Sequence, residues 1–231
     1  ILEIGGDYVT FASDRIEAHR PGVIACFFQG CAGDQKVDAR DDDDDGYRKL
    51  DLVEVQQRGE QLGDAVLRVI ESDDLKPVEG KLEWTQVMVE IDTDLPSHDE
   101  LQQHLASSQA YIVEWAQHHL DLLAAGTPAK RKFDFEVQTL RIGRDLAVVG
   151  LAGEMSVEYG LHYRYRFGAD YTAVWTLGYT NEMVWYVPVQ RKISEGGYEV
   201  VDNNRRLQYT GPFGAATEGR IDKAVARALS A

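Results

Sequence analysis

The sequence predicts an α/β fold: a mixed β-sheet core with flanking helices. Three observations point there. Residues 81–91 alternate apolar and polar side chains, as a strand does. Residues 133–151 read as a hairpin, FDFEVQTLRI and DLAVVGL, joined by Gly143-Arg144-Asp145. Apolar residues recur three or four positions apart over 50–71, 97–125 and 216–229, the spacing of amphipathic helices.

The 231 residues suffice for one large domain or two small ones. With no internal repeat and no clear linker, a single domain over 1–231 is the expectation. Apolar content of 44% with 27% charge suits a globular chain rather than a disordered one. A net charge of −15 argues against a nucleic-acid partner, because phosphate binding needs a basic surface. No apolar run approaches the roughly 18 residues of a membrane span, so no transmembrane segment is expected. Two cysteines exclude a disulfide scaffold. Cys26 sits in an apolar run and reads as a buried small hydrophobe, while Cys31 sits in a Gly-rich turn where a reactive thiol is possible.

In chain order, Gly5-Gly6-Asp7 signals a turn, and a helix follows to residue 20 with Phe11, Ile16 and Ala18 on its apolar face. Residues 22–29, GVIACFFQ, form a continuous apolar run bounded by Pro21 and Gly30, which predicts a buried strand. It empties into Gly30-Cys31-Ala32-Gly33-Asp34, either an ordinary tight turn or a set of backbone N–H groups able to hold an oxyanion. Asp41, Asp43, Asp45 and Gly46 match the first half of a calcium loop, but Leu52 stands where the closing Glu belongs, so the run reads as a solvated acidic loop. The helix over 50–71 carries Leu52, Val55, Leu62, Val66, Val69 and Ile70, and Gly59 and Gly63 either weaken it or allow close packing.

The strand over 81–91 presents Leu82, Trp84, Val87, Val89 and Ile91, which requires a slip in the alternation near 86–88. Ser97 and Glu100 form a capping box for one long helix to about Ala125. On it, His118 and His119 point about 100° apart and do not share one ion; His119, on the apolar stripe, reads as an interior histidine. A strand ends at Gly150 to Gly153, where Glu154 opens a helix carrying Tyr159, Leu161, His162, Tyr163 and Tyr165. Read from its neighbours alone, Glu154 caps or neutralises that helix start. A further strand over 171–177 leads into WTLGYTNEMVWYVPVQRKISEGGYEV, with turns at both ends and a Trp-Tyr pair between. Loops at strand ends are where rigid scaffolds place chemistry.

Gly153-Glu154 at a strand end, Asn181 followed five residues on by Tyr186, and Tyr198-Glu199 twelve residues after that form an ordered pattern. It resembles the neutral/alkaline (non-lysosomal) ceramidase family, and the likeness runs from Gly6-Asp7 to about Val200. The resemblance implies the C-terminal half of a ceramidase-like catalytic domain. It implies a zinc ion (Zn2+) held by Glu154 and Tyr186, with Tyr198 facing the substrate carbonyl. Asn181, Lys36, Gly33 and Asp34 would position the substrate. In the family the segment GDxxGxxxxxIE follows a zinc-binding His; Gly6-Asp7 and Ile16-Glu17 match it here. The family's remaining ligands, an HxH motif and a later His, fall upstream of Gly6, and no HxH occurs in this chain.

The chain also opens on Ile1 rather than Met. A fragment or processed chain is therefore expected, lacking an N-terminal half that carries the His ligands. At the family's GD-x-S-P motif, Gly33-Asp34 match, but Lys36 stands in the nucleophile slot and Val37 in the Pro slot. With no hydroxyl there, water is the expected attacker. Two readings follow. One is a zinc-dependent hydrolase of an amide or ester, acting on a small-molecule or lipid amide in an extracellular or periplasmic setting. The other is a degenerate ceramidase-like domain that only binds.

Overall fold

The computed structural model describes residues 5–37, 39–41, 44–127, 129–183 and 185–230, with the backbone alone at 40–41 and 44–47. The chain divides into two compact units, Ile1–Phe28 with Lys36–Pro77, and Gln29–Gln35 with Val78–Ala231.

The first unit pairs α1 (Asp7–His19) with α2 (Leu52–Glu71). Asp51 closes a full capping box with Glu54 at the start of α2. Gly59 and Gly63 serve close packing: a Cβ at Gly59 would lie 2.4 Å from Tyr8 O, and one at Gly63 2.8 Å from Arg15. The buried face of α2 is therefore Gly59, Gly63 and Leu67, while Leu52, Val69 and Ile70 are exposed. On α1 the buried positions are Ala12 and Ile16, and Ala18 is exposed, because the helix seats its small-residue side on α2. Strands β1 (Arg40–Asp41) and β2 (Asp44–Tyr47) pair antiparallel through the acidic loop. Asp43 of the calcium pattern lies outside the described residues.

The buried strand expected over 22–29 does not form. Residues 23–29 have no regular structure, and Ile24 and Phe28 are 83% and 64% exposed. A strand needs a neighbour as well as apolar side chains, and the only pairing this stretch leads to is a single bridge, Gly30 to Leu177. Cys26 is accordingly exposed. Cys31 is buried, and burial raises its thiol pKa to about 12, so it is protonated and inert rather than reactive.

The second unit is built on a four-stranded mixed sheet in the order β3-β4-β5-β7. Strands β3 (Leu82–Asp92), β4 (Lys132–Ile142) and β5 (Leu146–Leu151) run antiparallel, and β7 (Ala173–Leu177) lies parallel to β5. The predicted hairpin is β4–β5. The predicted slip in β3 is absent: its register with β4 is unbroken from Leu82↔Ile142 to Asp92↔Lys132. Val87, Val89 and Ile91 face the core, and Leu82, Trp84 and Met88 lie on the open face. There Trp84, Leu140, Val148 and Trp175 form one row across the sheet. Large apolar side chains on that face made the alternation seem to slip.

The expected long helix over 97–125 is two, α3 (His98–His104) and α4 (Ala110–Ala124). The N–H groups of Leu105, Ala106 and Ser107 each bond three residues back, at 3.3, 3.2 and 3.1 Å, which tightens and ends the first helix. Ser107 Oγ then accepts from Gln109 N at 3.2 Å. His119 is buried at 3% exposure with Nε2 3.3 Å from Tyr209 O, an interior histidine as its stripe position predicts. Helix α5 (Val157–Phe167) and the terminal α8 (Thr217–Ser230) complete the unit. Their Tyr159, Tyr163, Ile221 and Val225 share one core with Phe135, Val137 and Val149 of the sheet. No helix among the described residues is long and apolar enough to cross a membrane.

Candidate functional site

Glu154 does not open a helix. Ser156 takes the position before α5, and Glu154 with Met155 forms a short strand, β6, parallel to β8 (Tyr186–Val187). Local alternation decides what each side chain does. Trp185 is buried, stacked on Tyr209 at 3.8 Å and Phe213 at 4.8 Å between ring centroids. Val187 and Met155 are fully buried. Period-2 geometry therefore turns Tyr186 and Glu154 the other way. The register pairs these two residues, and both side chains line one cleft. Burial, then the neighbouring Glu154 carboxylate, pushes the Tyr186 phenol up, so it stays neutral beside that carboxylate.

This pair lines a cleft of about 270 Å³ together with Gly33, Asp34, Lys192 and Glu199. Gly33 is held against β6: its N–H donates to Met155 O at 2.8 Å, and a Cβ would stand 2.5 Å from Glu154 O. The Gly33 amide is thus spent on β6 rather than offered to an oxyanion. Asp34 Oδ1 accepts the N–H of Val157 at 2.9 Å, and Lys192 donates to Oδ2. Burial works to raise the Asp34 pKa, but the bonds from Lys192 and Val157 outweigh it and hold the carboxyl below the usual range. For Lys192, burial works downward and the bonds to Asp34 and Glu158 carry its pKa upward. Both stay charged, and their pairing holds the Gly33-Asp34 turn at the wall of the cleft.

The other predicted residues fall into place unevenly. The Tyr198 ring opens a π-helical turn, Tyr198–Asp202, and lies edge-on to Tyr186 with centroids 5.7 Å apart. Asn181 has left-handed backbone (φ +57) and donates to Glu136 Oε1 at 2.6 Å, so it is committed to the sheet rather than the cleft. Lys36 is exposed and belongs to the first unit. His19 also lies there, 3.2 Å from Glu71. His162 meets Asp222 at 3.1 Å and lines a different cleft. Sequence reasoning missed Lys192 and Ser156, and quoted Glu199 only as part of the Tyr198-Glu199 pattern, without a role. Lys192 meets Asp34 across 158 residues, and no local pattern signals that.

No group of three or more His, Cys, Asp or Glu side chains among the described residues converges as a metal centre would. Glu154 and Tyr186 therefore offer two adjacent oxygen donors, and two do not close a zinc site.

No family model matches the chain, and no curated protein sequence matches it. Among solved structures it is similar to the neutral ceramidase from Pseudomonas aeruginosa, with a TM-score of 0.63 and 18% identity over 98% of this chain and 41% of that one. The chain has a ceramidase-like mixed α/β fold and spans less than half the length of that structure.

Proposed function

We propose that the chain carries part of the centre of a hydrolase that cleaves an amide or ester bond, ceramidase-like in chemistry as well as fold. The observation that carries this is the pairing of Glu154 with Tyr186, in register at the wall of a cleft, with Tyr198 beside them. Three residues chosen from a sequence pattern thus meet at one place. Zinc is the proposed cofactor, with Glu154 and Tyr186 as two of its donors and histidines from an upstream segment as the rest. Such an ion, when bound, lowers the pKa of a bound water to about 7 and polarises a carbonyl. Tyr198 is the proposed contact for the substrate carbonyl, supported by its ring lying against Tyr186, and the Asp34–Lys192 pair keeps the Gly33 turn against Glu154. A lipid amide or a smaller amide is the proposed substrate.

A second reading, a domain that binds without catalysis, is favoured by Lys36 in the nucleophile position and by the two-donor set. Metal analysis of the purified chain beside Glu154→Ala is the first test of the two. About one zinc per chain, lost in the variant, supports the hydrolase. Zinc in neither shows that Glu154 and Tyr186 alone do not hold the ion, and the two readings are then separated by assaying hydrolysis with the histidine-bearing segment supplied. Hydrolysis by a metal-free chain, kept in Glu154→Ala, overturns the zinc assignment.

A further inference from the structure

The sheet of the second unit has β3 as one of its edges. Backbone groups along an antiparallel edge strand alternate between the one partner strand and the free side. Lys81 O accepts from Gly143 N, and Thr93 N donates to Arg131 O, so the odd-numbered residues of β3 bond to β4. The even-numbered residues, Leu82 to Asp92, turn their N–H and C=O groups outward.

One end of this outward edge is covered. Gly214 N donates to Asp92 O at 2.8 Å, Arg220 Nη1 donates to Glu90 O at 3.0 Å, and Thr93 bridges Phe213. The other end is bare. The outward N–H and C=O groups of Leu82, Trp84, Gln86 and Met88 have no partner among the described residues. Their side chains are exposed too, Trp84 at 65%. A bare edge is a template for another strand, and proteins that keep such edges single blunt them with charge, proline or a bulge. Here none of the four residues is charged, the stretch has no proline, and the register has no bulge.

The bare stretch fits itself. Laid antiparallel on a second copy and centred on Thr85, residues 82–88 match every outward residue with another: Leu82 with the partner's Met88, Trp84 with the partner's Gln86. Each side chain stays on its own face in this register. On the open face, Trp84 and the partner's Trp84 become diagonal neighbours within reach of each other. The row Trp84, Leu140, Val148 and Trp175 thereby runs on into the same row of the second copy. On the core face, Glu83 stands opposite the partner's Val87 and Lys81 opposite the partner's Val89, so no charge opposes a like charge. Past Met88, Arg220 closes the edge at Glu90, and there the second strand has ended: the partner's Gly80 precedes its β3, which starts at the partner's Leu82.

We propose that β3 is a dimerisation strand: two copies of the chain pair edge to edge through residues 82–88, about a two-fold axis at Thr85, and join their sheets into one. The pairing is independent of the hydrolase reading, since Glu154 and Tyr186 take no part in it.

The test is sedimentation velocity on the full chain with amide hydrogen exchange alongside. An edge contact of this size is weak, so the average mass should rise from one chain at about 2 μM towards two at about 500 μM. Over the same range the amides of Leu82, Trp84, Gln86 and Met88 should slow in exchange, while those of Thr85 and Val87, bonded to β4, stay slow throughout. Gln86→Pro removes an outward donor and spares the bonds to β4, and Trp84→Lys sets two ammonium groups at the axis. Each should weaken the dimer at least about tenfold. Trp84 is exposed, so its variant reports even if Gln86→Pro disturbs the strand. A mass of one chain across the range overturns the proposal and leaves the edge to a strand from outside this chain. A dimer in which the four outward amides still exchange fast overturns it in favour of stacked open faces, and a dimer undiminished in both variants overturns it as well.

Discussion

Glu158 lines the second cleft, which His162 also lines, and reaches the first only through Lys192. Its Oε1 meets Lys192, whose ammonium also holds Asp34 beside Glu154 and Tyr186; its Oε2 is left unpartnered beside Tyr159 and Tyr163. In the first cleft the polar groups are spent on one another: Lys192 on Asp34, the Val157 amide on Asp34, the Gly33 amide on Met155. Among the residues lining the second, three buried oxygens, Glu158 Oε2 and the hydroxyls of Tyr159 and Tyr163, have no partner among the described residues. A self-satisfied set holds its geometry without a ligand and resists loss of any member. An unsatisfied set costs stability. The first cleft should therefore be intolerant of change and the second tolerant, on the scale of folding stability.

The largest effect is expected at Gly33→Ala. The new Cβ would meet Glu154 O at 2.5 Å and Glu154 C at 2.9 Å, both backbone atoms that cannot swing aside. A loss of about 3 kcal/mol is expected in urea denaturation, with the slope unchanged. A neutral result would show that the Gly33 turn and β6 are not held together, and the first cleft would lose its claim to rigidity.

A middle effect is expected for the Asp34–Lys192 pair. Asp34→Asn and Lys192→Met in a double-mutant cycle should show a coupling of about 1–2 kcal/mol, since the two side chains are 12% and 23% exposed. The pH dependence carries a sign. The Asp34 pKa is lowered on folding, so its contribution is present above about 3.9, the unfolded value, and is lost as pH falls through the folded one. The Lys192 pKa is raised, so its contribution is full below about 10.4 and is lost as pH rises through the folded value. Asp34→Asn should flatten the acid limb of stability against pH, and Lys192→Met the alkaline one. Limbs unchanged from those of the unmodified chain would sink the pairing.

How far the sequence reaches depends on the range of the interaction. Periodicity within one element is local, and it foretold α1, α2, β3, the β4–β5 hairpin, β7 and α8. Pairing is not local. The run 22–29 has strand composition and no partner strand, so it is irregular. Trp84 has a core residue's chemistry and sits on the open face, because register with β4 decides which side it takes. Glu154 and Tyr186 are singled out by the resemblance to a family, but that they face each other follows from parallel pairing across 32 residues. Tyr159 and Tyr163 read as an aromatic face, and they are one. Their unmet hydroxyls depend on what α8 and the Val189 segment bring against them, which no pattern in α5 records.

The smallest effect is expected at Tyr163→Phe, and it tests the comparison most finely. The ring stays and only an unpartnered hydroxyl leaves, so no cavity larger than one oxygen opens. Removing a buried polar atom that has no partner relieves a desolvation cost instead of breaking a bond. Stability should rise or hold, by about 0–1 kcal/mol, as a small upward shift in denaturation midpoint. A loss above about 1 kcal/mol would mean that the hydroxyl is bonded to a fixed water in solution. The second cleft would then be as self-satisfied as the first, and Glu158 and Lys192 would join two sites of one kind.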